Sequence, residues 1–236
     1  IELLLTMAYD AKVNYTDVLG SVKYWDVSIC NYLREKKIVI PQKKRSDKSE
    51  KFEGAYVKEP QVGMHKWVMS FDLNSLYPHL IMQYNISPET VNKDKRQVQK
   101  MTVDRLLSQG VDMSEMRQRQ LTMTPNGALF KTNKKGFLSE MMETMYNDRV
   151  NYKRLMLQSK QEYENTKDPK LLKDIAKYNN IQMAKKISLN SAYGAIGNEY
   201  FRYYDLLIAE GITTAGQLSI RWIENKINQY MNKLLD

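Results

Sequence analysis

From Leu138 to about Asn165 the chain has strong helix formers and neither glycine nor proline. Asp168-Pro169 follows, an N-cap residue and then a proline where a helix can begin. A second helical stretch then runs to about Gly194. Two helices of roughly 27 residues joined by a tight turn pack antiparallel, as a hairpin about 40 Å long. No other stretch limits the fold as strongly.

The rest of the chain is mixed. Residues 1–35 read as short helices, with Leu3, Leu4, Met7 and Ala8 on one face and Val22, Trp25, Ile29 and Leu33 on another. Residues 36–51 carry seven Lys/Arg against Asp47 and Glu50, the pattern of a solvated basic loop. Residues 52–73 alternate apolar runs with Gly54, Pro60 and Gly63 and read as strands, the last of them a buried strand from Trp67 to Phe71. A helix is expected over 75–84, with Asn74 as N-cap and Pro78 in its first turn. Between 91 and 137 the pattern is ambiguous, except for a turn at Pro125-Asn126-Gly127 opening a hairpin through Ala128-Leu129-Phe130. Residues 200–204 suggest a short strand, and 205–235 a long amphipathic helix. The fold class is α+β.

Apolar residues make up 42% of the 236, which suits a folded chain with a real core, and the formal net charge is +9. That excess favours a polyanionic partner, most simply nucleic acid. The competing reading, a basic protein on a membrane surface, is the weakest. No segment approaches the roughly 18 apolar residues of a membrane span, and the cationic helices lack a broad Trp/Phe/Leu face. Cys30 is the only cysteine, and His65 and His79 the only histidines. A bound metal would therefore take oxygen ligands, as magnesium or manganese do. The chain starts at Ile1 without an initiator Met and ends at Asp236 inside what reads as continuing structure, so a fragment, a processed form or half of a split protein is expected.

Two places carry candidate chemistry. In the hairpin, with the turn near Lys167, Arg149 lies 18 residues before and Lys186 19 after, so the two cations stand at nearly the same height. Lys153 shares the face of Arg149, and Asn190 and Tyr193 share that of Lys186. Such a patch suits a triphosphate; equally it is a solvated face of scattered lysines, as Lys160, Lys167, Lys170 and Lys173 are read to be. The second place is Asp72. A carboxylate at a strand tip holds a divalent metal over a phosphate, or it caps the next helix.

The string Asp72-Leu73-Asn74-Ser75-Leu76-Tyr77-Pro78 resembles the D-x-x-S-L-Y-P motif of family B DNA polymerases. Its extension Asn85-Ile86-Ser87-Pro88-Glu89-Thr90 is similar to the replicative polymerases of T-even-like bacteriophages. Lys186-Ile-Ser-Leu-Asn190-Ser-Ala-Tyr193-Gly194 resembles the finger motif K-x-x-x-N-S-x-Y-G, and Arg149-Val-Asn-Tyr-Lys153 the R-x-x-x-K of the partner finger helix. Phe52-Glu53-Gly54-Ala55 resembles the template-contacting Y-x-G-G/A segment, with Phe52 lacking the usual hydroxyl.

The resemblance implies an incomplete polymerase palm with an inserted helical fingers hairpin. A helical segment and basic linker would occupy 1–50, the first part of the palm 51–137, the fingers 138–196 and the second part of the palm 197–236. It makes Asp72 and Lys186 the candidate catalytic residues. Asp72 and the Leu73 carbonyl would be ligands in a two-magnesium site, activating the primer 3′-oxygen and stabilising the departing pyrophosphate. The N–H groups of Ser75 and Leu76 would face phosphate. Tyr77 would lie under the deoxyribose and exclude a 2′-hydroxyl. Arg149, Lys153 and Lys186 would grip the dNTP triphosphate with support from Asn190, and Tyr193 and Gly194 would lie against the nascent base pair. Gly54 and Ala55 would contact DNA. Arg202 is assigned mainly to packing, with a DNA contact as a second role.

The sequence departs from the family pattern. His79 replaces a small residue after Pro78, and the fingers are short. The D-T-D motif is not in the sequence, and Asp205 and Asp236 lack its context. The expectation is a part of a DNA-directed DNA polymerase, with negligible activity and weak grip on primer–template DNA unless a second polypeptide supplies the D-T-D strand and thumb. Its place would be the cytoplasm, the host cell's if the gene is a phage's. The alternative is a non-catalytic nucleic-acid or nucleotide-binding module.

Overall fold

The computed structural model describes residues 1–43, 54–66, 68–92 and 101–235. In chain order the elements are α1 (Glu2–Ala11), a 3-10 turn (Tyr15–Asp17), α2 (Ser21–Glu35), α3 (Leu76–Tyr84), β1 (Val91–Asn92), α4 (Val103–Gln109), α5 (Ser114–Gln118), β2 (Leu121–Met123), β3 (Leu129–Lys131), α6 (Phe137–Thr166), α7 (Lys170–Ile196) and α8 (Leu206–Leu235). The described residues are thus mostly helical, with one small antiparallel sheet. They fall into two compact units, one drawn from Ile1–Ser49 and Phe137–Asp205, the other from Glu50–Gly136 and Leu206–Asp236.

The first unit is built on the expected hairpin. Residues 167–169 join α6 to α7, and Lys167 turns the chain in the left-handed region at φ 55°. The Asp168 carboxylate accepts the Lys170 N–H at 2.9 Å, so it caps α7 one residue further out than expected. The rings of Tyr152 and Tyr178 meet across the hairpin with centroids 6.2 Å apart. At the other end of the hairpin, α7 packs on α1 and α2. Tyr24, Trp25, Ile29 and Leu33 of α2 are buried, as are Leu189, Ala192 and Ala195 of α7. Burying each large apolar side chain contributes roughly 1.5–3 kcal/mol. The two polar aromatic tips find partners on α7: Tyr24 Oη lies 2.6 Å from Ser188 Oγ, and Trp25 Nε1 donates to Ser191 Oγ at 3.0 Å.

In the second unit the sheet runs in the order β1-β3-β2, with Val91 opposite Phe130 and Met123 opposite Leu129. The expected turn at 125–127 closes the β2–β3 hairpin. Asn126 Nδ2 fastens it to α8 by donating to the Leu207 carbonyl at 3.1 Å. At the end of α3, Asn85 takes the left-handed conformation at φ 55°. Its amide donates to the carbonyls of Lys131 and Lys134 and accepts the Gly136 N–H, each within 2.8 Å. Helix α3 also packs on α8.

Three local expectations are corrected. Residues 54–66 and 68–73 form no strand, and Val68, Met69 and Phe71 are 76%, 55% and 59% exposed rather than buried; Trp67, Phe52 and Glu53 lie outside the described residues, as does the basic stretch from 44 to 51. A strand needs a ladder partner, and among the described residues the strands of the sheet pair only with each other. The start of this run instead lies along α8 through side chains. Gln217 Nε2 donates to the Gly54 carbonyl at 2.8 Å, the Arg221 guanidinium sits 5.5 Å over the Tyr56 ring, and Lys58 pairs with Glu224. Alternate residues of an extended chain share one side, and positions 217, 221 and 224 share one helix face, so the two periods match.

Second, the N-cap of α3 is Ser75, not Asn74, and it makes no side-chain cap bond. Third, residues 200–204 form turns instead of a strand, with Phe201 N–H bonded to Asn198 O and Tyr204 N–H to Phe201 O. The aromatic residues that suggested a strand serve the core. Tyr203 packs edge-on against Phe137 and Phe201, with centroids 5.5 Å away in each case.

Candidate functional site

The candidate residues fall on both units. In the second unit, Asp72 is exposed at the end of the extended run. Since the cap of α3 is Ser75, the capping role weighed for Asp72 is excluded. Leu73 beside it is exposed as well. The Asp72 carboxylate and the Leu73 carbonyl are oxygen donors of the kind magnesium takes. Among the described residues, though, no three His, Cys, Asp or Glu come together, so these donors do not form a metal cage by themselves.

Ser75 holds a left-handed backbone at φ 52°, an uncommon conformation for a non-glycine residue. Its carbonyl accepts two bonds from His79, from the backbone N–H at 3.1 Å and from Nδ1 at 2.9 Å. A carbonyl only accepts, so Nδ1 carries the hydrogen. His79, a departure from the family pattern, thus braces the entry to α3.

Tyr77 is half-buried, and that burial pushes its phenol pKa up. One edge of its ring faces α8 at Gly216, where an added Cβ would stand 3.0 Å from Tyr77 Cε1 and 3.7 Å from Cδ1. Inside a helix glycine costs about 1 kcal/mol relative to alanine, and the close approach of this ring gives Gly216 its reason. The next residue, Gln217, is buried and bonds Gly54. Neither had been singled out from sequence. The available signal was a glycine in the interior of an otherwise strong helical pattern.

In the first unit the cations of the hairpin divide. Lys185 turns inward and is buried between Asp10 at 2.7 Å and Asp148 at 3.0 Å. Burial works against its charge, but the bonds and charges of the two carboxylates outweigh it, and its pKa is held above the ordinary lysine value. Lys186 and Asn190 face solvent. Because Asp148 meets Lys185, their chain neighbours Arg149 and Lys186 stand at about the same level of the hairpin. Arg149 is half-buried and Lys153, one turn further along α6, is exposed. Tyr193 is half-buried, while Gly194 is exposed and a Cβ there would have nothing closer than Ser21 Oγ at 4.0 Å. Gly194 thus lacks the packing reason that Gly216 has.

Gly54 and Ala55 are exposed, with the Gly54 carbonyl held by Gln217. Arg202 is engaged within its own unit: Nε and Nη2 grip Asp26 at 2.8 and 3.2 Å, and Nη1 donates to the Pro41 carbonyl at 2.8 Å. These bonds give it a packing role.

No helix among the described residues is long and apolar enough to cross a membrane. A family model described as DNA polymerase family B matches residues 25–236. The DNA-directed DNA polymerase of Escherichia phage RB69 is 34% identical in an alignment 275 residues long, covering 99% of this chain and 30% of that protein. The corresponding enzyme of Enterobacteria phage T4 is 31% identical over the same shares. The fold matches that of the family B DNA polymerase from Pyrobaculum calidifontis with a TM-score of 0.66 at 20% identity, over 99% of this chain and 27% of that one. The chain therefore spans about 30% of the length of its phage relatives, and it belongs to DNA polymerase family B.

Proposed function

We propose that this chain serves template-directed DNA synthesis, as the part of a DNA-directed DNA polymerase that receives the incoming deoxynucleoside triphosphate. The observation that carries the reading is the division of the hairpin cations. Lys185 is consumed by Asp10 and Asp148, while Lys186 and Asn190 are left facing solvent, Lys186 at the level of Arg149 and one turn from that of Lys153. Arg149, Lys153 and Lys186 would together neutralise and orient a triphosphate. Tyr193 and the side-chain-free surface at Gly194 offer a flat wall for the nascent base pair.

Asp72, with the Leu73 carbonyl, would contribute to a magnesium site. When bound, magnesium offsets charge at the primer 3′-oxygen and at the departing pyrophosphate. Ser75 and Leu76 would turn N–H groups to phosphate, Tyr77 would lie under the deoxyribose, and Gly54 and Ala55 would face primer–template DNA. Arg202 has donors left for a DNA contact beyond its bonds to Asp26 and Pro41. In these terms the hairpin is the fingers, 51–137 and 197–236 are palm, 1–50 leads into it, and the place of action is the cytoplasm. Nothing in the comparisons points to a second polypeptide as a partner.

The test measures Mg-dNTP binding, primer–template binding and primer extension, by the chain alone and with a polypeptide carrying the D-T-D strand. Lys186→Ala is expected to weaken dNTP binding about tenfold or more, the loss of a charge-assisted bond. Asp72→Ala should abolish extension and leave DNA affinity largely intact. If Asp72→Ala changes neither, the catalytic assignment is wrong and the non-catalytic binding module is the better reading.

A further inference from the structure

We propose that Gly216 is a specificity-determining position for the nucleotide sugar, acting through the ring of Tyr77. The inference rests on the reading of Tyr77 as the residue beneath the deoxyribose. Gly216 lies in the interior of α8, a poor place for glycine unless something approaches closely. What approaches is the Tyr77 ring. A Cβ on residue 216 would stand 3.0 Å from Cε1 and 3.7 Å from Cδ1, with Leu76 Cδ2 at 3.8 Å. The missing side chain therefore sets how near the ring comes to the helix.

An added methyl would have to displace one side of this contact by a few tenths of an ångström. Helix α8 is poorly placed to yield, because Ile208, Ile212 and Ala215 ahead of Gly216 are fully buried and Asn126 holds the Leu207 carbonyl at its start. The ring moves instead, away from α8. Van der Waals contacts change steeply over such distances, and a filter that tells deoxyribose from ribose by one oxygen works at that scale. A ring pushed outward crowds the 2′-deoxy sugar that the wild type admits. Gly216 is thus a positioning residue, and Tyr77 the group that would touch the ligand.

The experiment uses the chain with primer–template DNA and magnesium, and compares the affinities of dATP, ATP and inorganic tripolyphosphate. Gly216→Ala is expected to weaken dATP at least threefold, to weaken ATP by more and to leave tripolyphosphate nearly unchanged, so the preference for dATP over ATP rises. In a Tyr77→Ala background the same substitution should have no further effect. In parallel, 19F NMR of the 3-fluorotyrosine-labelled chain, with the Tyr77 resonance assigned by its loss in Tyr77→Phe, should show that resonance shift in Gly216→Ala. An unshifted resonance overturns the proposal. So does equal weakening of all three ligands, which would mark a merely structural role, and so does an unchanged ratio in Gly216→Ala where Tyr77→Ala alters it. If Tyr77→Ala leaves the ratio untouched while the resonance still shifts, the sugar-gate reading of Tyr77 fails and the contact stands. Should Gly216→Ala not fold, the Gly216→Ala/Tyr77→Ala pair must recover folding; failure of the pair shows that the methyl meets something other than the ring and overturns the proposal.

Discussion

The α6–α7 hairpin and the extended residues 54–66 and 68–73 are held in opposite ways. Each hairpin helix closes its own backbone hydrogen bonds, and the pair is braced at one end by α1 and α2. Among the described residues the extended run has no ladder. Its first residues are fastened to α8 by three side-chain contacts on alternate positions, and its last residues, including Asp72, face solvent. The hairpin thus presents Lys186 and Asn190 from a rigid element, whereas Asp72 sits at the end of a run whose described anchors are all on another helix. Changes inside the hairpin base should cost global stability. Changes on α8 should instead release the run locally.

The largest effect is expected from Lys185→Ala. It leaves Asp10 and Asp148 facing each other without the cation that joins them, at a site where Lys185 itself is buried. Breaking a buried ion pair costs about 3–5 kcal/mol, and because both carboxylates are partly exposed, about 3 is the better expectation. Urea unfolding followed by circular dichroism checks it. A loss below about 1 kcal/mol would mean that the hairpin is braced by apolar packing alone.

Alkaline pH should strike the same base. Burial raises the Tyr24 phenol above its ordinary value of 10.0, with the bond to Ser188 acting the other way, and Lys185 is raised above 10.5. Both groups hold their protons more tightly in the folded state. Their contribution is fully present below the unfolded values and is lost as pH climbs through the folded ones. Stability should therefore fall from about pH 10 upward, and Tyr24→Phe, which removes one titrating group, should make that fall shallower. An unaltered slope in Tyr24→Phe would show that other groups govern the alkaline loss.

The same contrast explains what was legible in the sequence. The hairpin, the 125–127 turn and α8 are written in short-range patterns: helix formers without a break, Pro-Asn-Gly, a long apolar stripe. The motif strings around Asp72 and Lys186 pointed to the family that the matching model then showed. What could not be read depends on distant partners. Val68, Met69 and Phe71 have strand composition, but among the described residues no strand pairs with them. Phe201 and Tyr203 have it too, and tertiary ring contacts take them into a turn. Lys185 and Lys186 are adjacent and alike in sequence, and only the positions of Asp10 and Asp148 decide which one is buried.

The smallest global effect, and the most discriminating, is expected at Gln217. Gln217→Ala removes the bond to the Gly54 carbonyl. Residue 54 is exposed, so water can take the place of the amide, and the net cost should be about 1 kcal/mol or less. Unfolding by urea should hardly register it. Locally, however, the bond is the first of three anchors on a run with no ladder, and the next one, Arg221 over Tyr56, is shared with Asp104 at 2.5 Å. Limited proteolysis should therefore cut Gln217→Ala faster between residues 54 and 66, while cleavage within α6 and α7 stays at the wild-type rate. Equal acceleration in both places would show that Gln217 supports the fold as a whole. No acceleration in either would show that Tyr56 and Lys58 suffice to hold the run, and that the dependence of this segment on α8 is distributed along the helix and not set at its first contact.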